Sequence, residues 1–404
     1  MKRLFFISLL LATQASVSMA EDHDGYTPGT DTPEPSGFVT SLLNNALEKA
    51  ASSAGQENGV PEYGRNVTQW ASIPKFGGYA VGTYKYSDQS GSHGGDGFNA
   101  RFLRLYVDGA ILTDFKYRIQ LEMSGDPATS NGAHLKDYFL SWSHWKELEV
   151  KVGQFKRCFT FENPYNPWDV GTGDYSQLTK KLAGMRDYCG GESTTTGGRD
   201  LGLQLQGDLF PIGKDKHRLI HYQAGIFNGQ GINHADANRR KDLIGSLQVQ
   251  PIKDLFIGVF GWKGDMTYNK VTAERNRYAI SAKYEHNGWS ARAEYAHHTG
   301  HKIADFTYNE ENKTQELKPG CSNGQADGWY VTVGVPCTPW LKVYAKYDAY
   351  RETAANSSLN TIYSICPNFQ IHKNIMLQAQ YNYVHNKLAS EHHNEFWGEL
   401  YFRF

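Results

Sequence analysis

The sequence predicts an all-β fold, and within that class a transmembrane antiparallel β-barrel of about 16 strands. Three observations lead to this prediction. Apolar and polar residues alternate along many short segments, the connections between those segments are either short or long, and the chain ends in aromatic residues. The composition agrees, because 13% of the residues are aromatic and Gly occurs 41 times, which suits strands joined by turns.

The alternation is clearest in four segments, which carry apolar side chains at every second position and mostly charged or polar side chains between them. These segments are Lys116–Met123, Arg277–Tyr284, Lys342–Ala349 and Met376–Tyr383. A period of two places one face of a strand in apolar surroundings and the other in water. Similar runs from Phe76 onward give roughly 16 strands by the spacing rule for antiparallel sheets.

The connections fall into two lengths. Short joints are expected at Thr113-Asp114, Lys146-Glu147, Lys253-Asp254, Asn287-Gly288 and His372-Lys373. Long loops are expected at Ser87–Phe98, Arg157–Gly197, Gly229–Lys241, Gly264–Glu274 and Gly300–Gly328. Short turns at one end and long loops at the other are typical of barrels in bacterial outer membranes.

The C-terminal segment Glu395–Phe404, EFWGELYFRF, predicts the closing strand. Phe396, Leu400, Phe402 and Phe404 lie an even number of residues apart and are expected to face lipid. Pairing of this strand with the first strand would leave the sheet without edges, as a membrane-spanning sheet requires.

The N-terminus predicts export. Residues 1–20 have the pattern of a secretory signal peptide, with Lys2 and Arg3 before the apolar run Leu4–Ala12 and a small-residue cleavage site ending at Ala20. Residues 21–73 are expected to form a periplasmic linker with a short helix, and a solvated linker with transient helicity is the alternative. Residues 74–404 are expected to form the barrel. The mature chain has no run of about 18 apolar residues, so no transmembrane helix is expected.

The segment Gly153–Asp169, GQFKRCFTFENPYNPWD, resembles the strand-to-loop region of the phosphate-selective porin O and P family. The segment Gly198–Leu209, GRDLGLQLQGDL, is similar to that family's next strand, and the C-terminal LQAQYNYVH and YFRF segments are similar as well. The resemblance covers about residues 76–404 and is looser in the loops. It implies a trimeric porin whose long third external loop folds inward and narrows a channel for passive diffusion of small anionic or neutral solutes.

Basic residues in and beside the long loop at residues 157–197 are the candidates for a pore constriction or solute-binding site. They are Lys156, Arg157, Lys180, Lys181, Arg186 and Arg199. A loop of this length is uncommon unless it is functional or disordered. The alternative is that these side chains pair with neighbouring carboxylates and only hold the loop against the wall.

Further basic residues are expected to line the pore, because they fall on the polar face of predicted strands. They are Arg104, Arg118, Lys151, Lys283, Arg292, Lys342 and Lys346. Carboxylates such as Asp108, Glu122 and Asp348 share that face. A dedicated phosphate path needs clustered Arg or Lys, so this mixed lining predicts only a mild preference for anions.

The five cysteines are expected to be exported to an oxidising compartment. Cys158 and Cys189 both lie in the long loop, and a disulfide between them is possible. No metal site or cofactor is expected, because the clusters HHTGH and EHHNE are placed at the external rim, where exposed His is simply polar. No motif of a nucleophile beside a base points to an enzyme.

The sequence therefore predicts an outer-membrane porin that lets small hydrophilic solutes and ions diffuse passively, with a possible mild preference for phosphate-like anions. The alternatives are a surface-exposed binding or adhesion protein anchored by a barrel, and an uptake channel specific for one solute. The expected partners are outer-membrane lipid, small hydrophilic or anionic solutes, and further copies of the chain in a homotrimer. The formal net charge of −1 gives no reason to expect nucleic acid.

Overall fold

The computed structural model describes residues 71–89, 96–124, 132–190 and 196–404. The predicted signal peptide and the predicted linker up to residue 70 lie outside these residues. In the described part of the chain, no helix has both the length and the apolar character needed to cross a membrane.

Sixteen antiparallel strands form a closed barrel, as the sequence predicts. They are β1 (Lys75–Ser87), β2 (Gly97–Ile111), β3 (Phe115–Glu122), β4 (His134–Trp145), β5 (Leu148–Lys156), β6 (Arg199–Ile212), β7 (His217–Phe227), β8 (Asp242–Ile252), β9 (Leu255–Tyr268), β10 (Val271–His286), β11 (Trp289–Thr299), β14 (Gln325–Thr338), β15 (Leu341–Arg351), β16 (Leu359–His372), β17 (Ile375–Asn386) and β18 (Glu391–Arg403). The two remaining strands, β12 (Phe306–Asn309) and β13 (Thr314–Leu317), form a separate hairpin.

The barrel closes between the first and last strands. The register of β1 and β18 runs from Tyr79 opposite Arg403 to Ser87 opposite Glu395. Backbone hydrogen bonds of 3.0 Å join Gly78 and Phe404 in both directions, so the last residue takes part in the seam. The expected pairing of the C-terminal strand with the first strand is thus confirmed.

The two faces of the wall differ in polarity, and β17 shows the pattern. Leu377 is 41% exposed on the outer face, whereas Gln378 beside it is 1% exposed on the inner face. Apolar side chains on the outside and polar side chains on the inside are expected of a barrel surrounded by lipid. The terminal aromatic residues Phe402 and Phe404 belong to the exposed outer set.

The prediction of a long loop at Gly264–Glu274 is wrong. Strands β9 and β10 pair as far as Tyr268 opposite Val271 and are joined by Asn269 and Lys270 alone. Both residues have positive φ, 48° and 69°, which is the conformation of a tight two-residue hairpin turn. The polar residues that suggested a loop belong to the ends of two strands.

Residues 157–198, which connect β5 to β6, are called the inner loop below. The described part of this loop contains a 3-10 turn at Pro167–Asp169 and one short helix, α1 (Gln177–Lys181). The helix begins after Ser176, whose side chain accepts a hydrogen bond from the backbone N–H of Thr179 at 3.1 Å. This cap satisfies one of the N–H groups that a helix start leaves without a partner.

Candidate functional site

The inner loop is attached to side chains on the inner face of distant strands. Backbone groups of Val170, Gly171, Gly173 and Gln177 bond to Arg292 (2.6 Å), Asn368 (2.9 Å), Gln380 (2.6 Å) and Asp348 (2.9 Å), respectively. These partners lie on β11, β16, β17 and β15. Because all of them face inward, these contacts place the inner loop inside the barrel.

Two carboxylates organise the turn at the start of the inner loop. Glu294 on β11 accepts hydrogen bonds from the backbone N–H groups of Phe161 at 2.7 Å and Glu162 at 2.9 Å. Glu162 in turn accepts from the N–H of Ser176 at 2.8 Å, just before α1. Hydrogen bonds to a carboxylate are among the stronger ones, so these contacts fix the loop backbone against the wall.

A second group of charges surrounds Asp174 in the inner loop. Its carboxylate lies 2.9 Å from Arg101 and 2.9 Å from Lys180, and Arg101 also contacts Glu399 at 2.7 Å. Burial alone would raise the pKa of Asp174, but Lys180, Arg101 and Lys85 outweigh it and hold that pKa well below its ordinary value. Asp174 is therefore an anion that joins the inner loop to β2.

A third group is fully buried where the inner loop meets β8–β10. Asp187 contacts Arg277 at 2.7 Å and Arg275 at 3.2 Å, and Arg275 also contacts Asp242 at 2.7 Å. The guanidinium groups of Arg275 and Arg277 lie 5.1 and 4.6 Å from the centre of the Trp262 ring. Buried charges persist when they are paired in this way, so the group acts as an anchor for the loop.

Arg157 and Arg199, both predicted at the constriction, are buried in ion pairs. Arg157 is 0% exposed, with its guanidinium 3.5 Å from Asp200 and 2.6 Å from the Thr196 hydroxyl. Arg199 forms a two-point contact with Asp137 at 2.8 and 2.9 Å. Each of the two is therefore held by a carboxylate of a wall strand, Asp200 on β6 for Arg157 and Asp137 on β4 for Arg199.

The other four predicted constriction residues keep some exposure. Lys156, Lys180 and Lys181 are half-buried and Arg186 is exposed. Lys156 donates to the Tyr165 carbonyl, and Lys180 to Asp174 at 2.9 Å. Lys180, like Arg157 and Arg199, is thus paired with a carboxylate, as the alternative interpretation of these residues predicts.

The seven predicted pore-lining residues all lie on the inner face. Four of them contact carboxylates or loop carbonyl groups, and three lie beside aromatic rings. Arg104 pairs with Glu122 at 2.6 Å, Arg118 pairs with Asp108 at 2.7 Å, and Lys346 donates to the Asp174 carbonyl at 3.0 Å. Arg292 donates to the Val170 carbonyl and stacks 4.6 Å from the Tyr165 ring. Lys151, Lys283 and Lys342 lie 3.8, 4.6 and 4.8 Å from the rings of Phe139, Phe256 and Tyr344.

The two loop cysteines are not joined. All five cysteines, which lie in the described part of the chain, are free thiols. The Cys158 Sγ lies 3.7 Å from the Ile244 carbonyl oxygen, and the Cys189 Sγ lies 3.6 Å from that of Glu274. The disulfide that the sequence left open between them is therefore not formed, because the two thiols pack against different strands.

Two arginines and a group of aromatic residues were missing from the sequence prediction. Arg275 stands two residues before Arg277, so extending the alternation of β10 would have found it. Arg101 lies where the register between β1 and β2 shifts, and a simple period of two misses it. Strand β9 places Phe260 and Trp262 inward against the loop, so both of its faces are apolar and the alternation disappears.

Within the described ranges, no group of three or more His, Cys, Asp or Glu side chains is arranged to hold a metal ion. The described interior is polar, carries charges of both signs, and is partly filled by the inner loop.

Comparison with known proteins agrees with this architecture. The model of the family described as phosphate-selective porin O and P matches residues 77–253, which confirms the resemblance seen in the sequence over that part of the chain. No curated protein matches the sequence.

Several solved structures share the fold at low sequence identity. An anion-selective porin from Comamonas acidovorans has a TM-score of 0.60 at 14% identity, over 83% of this chain and 100% of that one. The OmpF protein of Salmonella typhi in complex with daunomycin gives 0.57 at 11%, over 82% and 97%. OmpT of Vibrio cholerae in a trimer form gives 0.55 at 12%, over 83% and 99%.

Proposed function

We propose that this protein is an outer-membrane porin, a water-filled channel through which small hydrophilic solutes and ions diffuse passively. The observation that carries the proposal is the closed barrel with an apolar outer face and a charged inner face, crossed by a loop attached to the inner wall. A lipid-exposed wall with a polar interior is the arrangement of a membrane channel. The function is transport without catalysis, and it needs no cofactor.

Any preference for anions is mild. Several basic residues of the inner face are offset by carboxylates, as Arg104 is by Glu122 and Lys180 by Asp174. Lys156, Lys181 and Arg186 are the constriction residues that we propose to meet the permeating solute. Because the interior is wet, their field is screened over about 10 Å at 0.1 M salt, which limits selectivity.

Three further parts of the proposal concern the cell. Residues 1–20 are a signal peptide that directs the chain to the bacterial outer membrane. The barrel assembles as a homotrimer, which is supported by the trimer form of the Vibrio cholerae protein that shares the fold. Residues 21–73 remain in the periplasm as a linker.

Recording from single channels in a planar lipid bilayer tests the proposal. The purified protein should give stepwise ohmic currents in KCl, and a KCl gradient should give a small reversal potential of the sign expected for anion preference. Complete absence of conductance from folded protein would favour a surface-exposed binding protein instead. A current that one solute alone blocks in a saturable manner would favour a channel specific for that solute.

A further inference from the structure

A cavity of about 320 Å³ lies between the inner loop and the wall, beside the turn at Asn287-Gly288. The 3-10 turn of the inner loop contributes Asp169, and the wall contributes side chains from β10, β11, β14 and β15. This volume is at the lower end of the range for ligand sites, so the cavity suits a molecule smaller than a drug.

Two buried polar atoms in this cavity lack partners. Arg292 is 7% exposed and Thr332 is 3% exposed, and they stand opposite each other on β11 and β14. Among the described residues, neither the Nε of Arg292 nor the Oγ1 of Thr332 has a hydrogen-bond partner. Leaving such atoms unpaired is costly, and a ligand or ordered water in the cavity would satisfy them.

The carboxylates around the cavity are not outnumbered by the cations. Arg292 and Lys342 line it together with Asp169 and Glu285, and Arg292 also lies 3.7 Å from the buried carboxylate of Glu162. The carboxylates retain accepting capacity, because Asp169 accepts one bond from Asn166 at 3.3 Å and Glu285 one from Tyr165 at 3.1 Å. A phosphate dianion would face both carboxylates, whereas a neutral molecule with several hydroxyl groups can donate to them and accept from the cations.

One wall of the cavity is an aromatic ring held in place by glycines. A Cβ added at Gly334 would lie 2.5 Å from the Tyr344 ring and 2.5 Å from the Ser290 Oγ. A Cβ added at Gly171 would lie 2.4 Å from the same ring. The two glycines therefore leave room for the same edge of the ring, and Tyr344 lines the cavity with Lys342 lying 4.8 Å from the ring centre.

We propose that this cavity is a binding subsite for a small neutral polyhydroxy solute, of about the size of a single sugar ring. Hydroxyl groups of the solute bond to Arg292, Thr332 and Asp169, and its apolar face packs on Tyr344. The proposal rests on the channel function, since the solute reaches the cavity through the barrel.

Equilibrium binding tests the subsite without relying on conductance. Glucose, as the probe, is titrated into the folded protein in detergent while the heat of binding is followed by calorimetry. A saturable heat change is expected, and inorganic phosphate should not compete. Failure of glucose to produce a saturable change, or its displacement by phosphate, would overturn the proposal.

A matched pair of variants locates the site. Thr332→Val removes one hydroxyl without changing side-chain shape and should weaken glucose binding about five-fold. Thr83→Val is the control, since Thr83 is also a buried threonine on the inner face without a partner for its hydroxyl among the described residues, but on β1 and outside the cavity. Equal effects of the two variants would place any glucose site elsewhere.

Conductance separates this proposal from the channel function. Protein that conducts KCl but does not bind glucose contradicts the subsite and leaves the channel standing. Protein that binds glucose but conducts no current contradicts the channel, and with it the route by which we infer that solute reaches the cavity.

Discussion

Asp187 in the inner loop and Arg277 on β10 form an ion pair of 2.7 Å in which neither side chain is exposed. The same guanidinium donates to the Leu182 carbonyl at 2.6 Å, just after α1. One arginine of the wall thus holds both ends of the segment between the helix and Asp187. This contact makes the inner loop part of the barrel interior rather than a lid over it.

Replacing this arginine should release the loop. Arg277→Met leaves Asp187 facing Arg275 alone, and loss of one partner of a buried pair costs about 3–5 kcal/mol. We expect that loss in the free energy of unfolding in urea, together with noisier single-channel currents. Arg118→Met is the control, because its pair with Asp108 is about one-third exposed and such pairs contribute at most about 1 kcal/mol. Equal stability of the two variants would show that the buried group is not an anchor.

Charge reversal at the end of α1 should change selectivity. The double variant Lys180→Glu and Lys181→Glu reverses the charge of Lys181, which we propose meets the permeating solute, and replaces the Lys180 partner of Asp174 by a like charge. Both changes make this region more negative, so the reversal potential in a KCl gradient should move toward cation preference. Tyr278→Phe on the lipid-facing surface is the control and should leave the potential unchanged. An unaltered potential in the double variant would show that α1 does not line the constriction.

Mild acid should leave the contacts of Asp174 with the wall intact. Burial raises the pKa of Asp174, but Lys180, Arg101 and Lys85 lower it by more. The ion pairs of Asp174 therefore stabilise the loop fully at a pH above the ordinary Asp pKa of about 3.9. They weaken only as the pH falls through the lowered pKa. Asp174→Asn mimics the protonated form at any pH and should increase current noise at neutral pH. The difference in noise between this variant and the wild type should therefore be as large at about pH 4 as at pH 7. Loss of that difference near pH 5 would contradict this assignment.

The loop thiols should be reduced and unreactive in the folded protein. Burial raises the pKa of Cys158 and of Cys189 to about 12, so little thiolate is available for alkylation. Cys337 is exposed and should react first with a maleimide. After unfolding without reductant, mass spectrometry should find both loop cysteines alkylated. Recovery of a peptide that links Cys158 to Cys189 would instead show that the inner loop adopts another course.

The barrel itself could be predicted because its signal is local. Alternation along one strand, as in Met376–Tyr383, fixes which side chains face lipid, and the aromatic end of β18 indicates closure. Loop boundaries were less reliable where polar residues continue a strand, as they do on both sides of Asn269 and Lys270.

The site could be predicted only in outline, because its contacts join residues far apart in the chain. The sequence shows that Arg157 lies in a long loop, but not that Thr196, Gly184 and Asp200 enclose it. The pairing of Arg199 with Asp137 likewise depends on how β4 and the end of β6 meet across β5. Which cations remain accessible is decided by these long-range contacts.

The seam between β1 and β18 has a consequence for how the molecule folds. Neighbouring strands elsewhere in the barrel are mostly close in sequence, whereas β1 and β18 are the first and last strands of the sheet. Because the chain between them is the longest of any strand pair, bringing them together costs the most chain entropy. Until Phe404 reaches Gly78, both edge strands expose unpaired backbone groups in a place where lipid offers no hydrogen bonds. Strand β18 thus completes the wall, and a sheet in which it has not yet paired with β1 carries two edges open to misassembly.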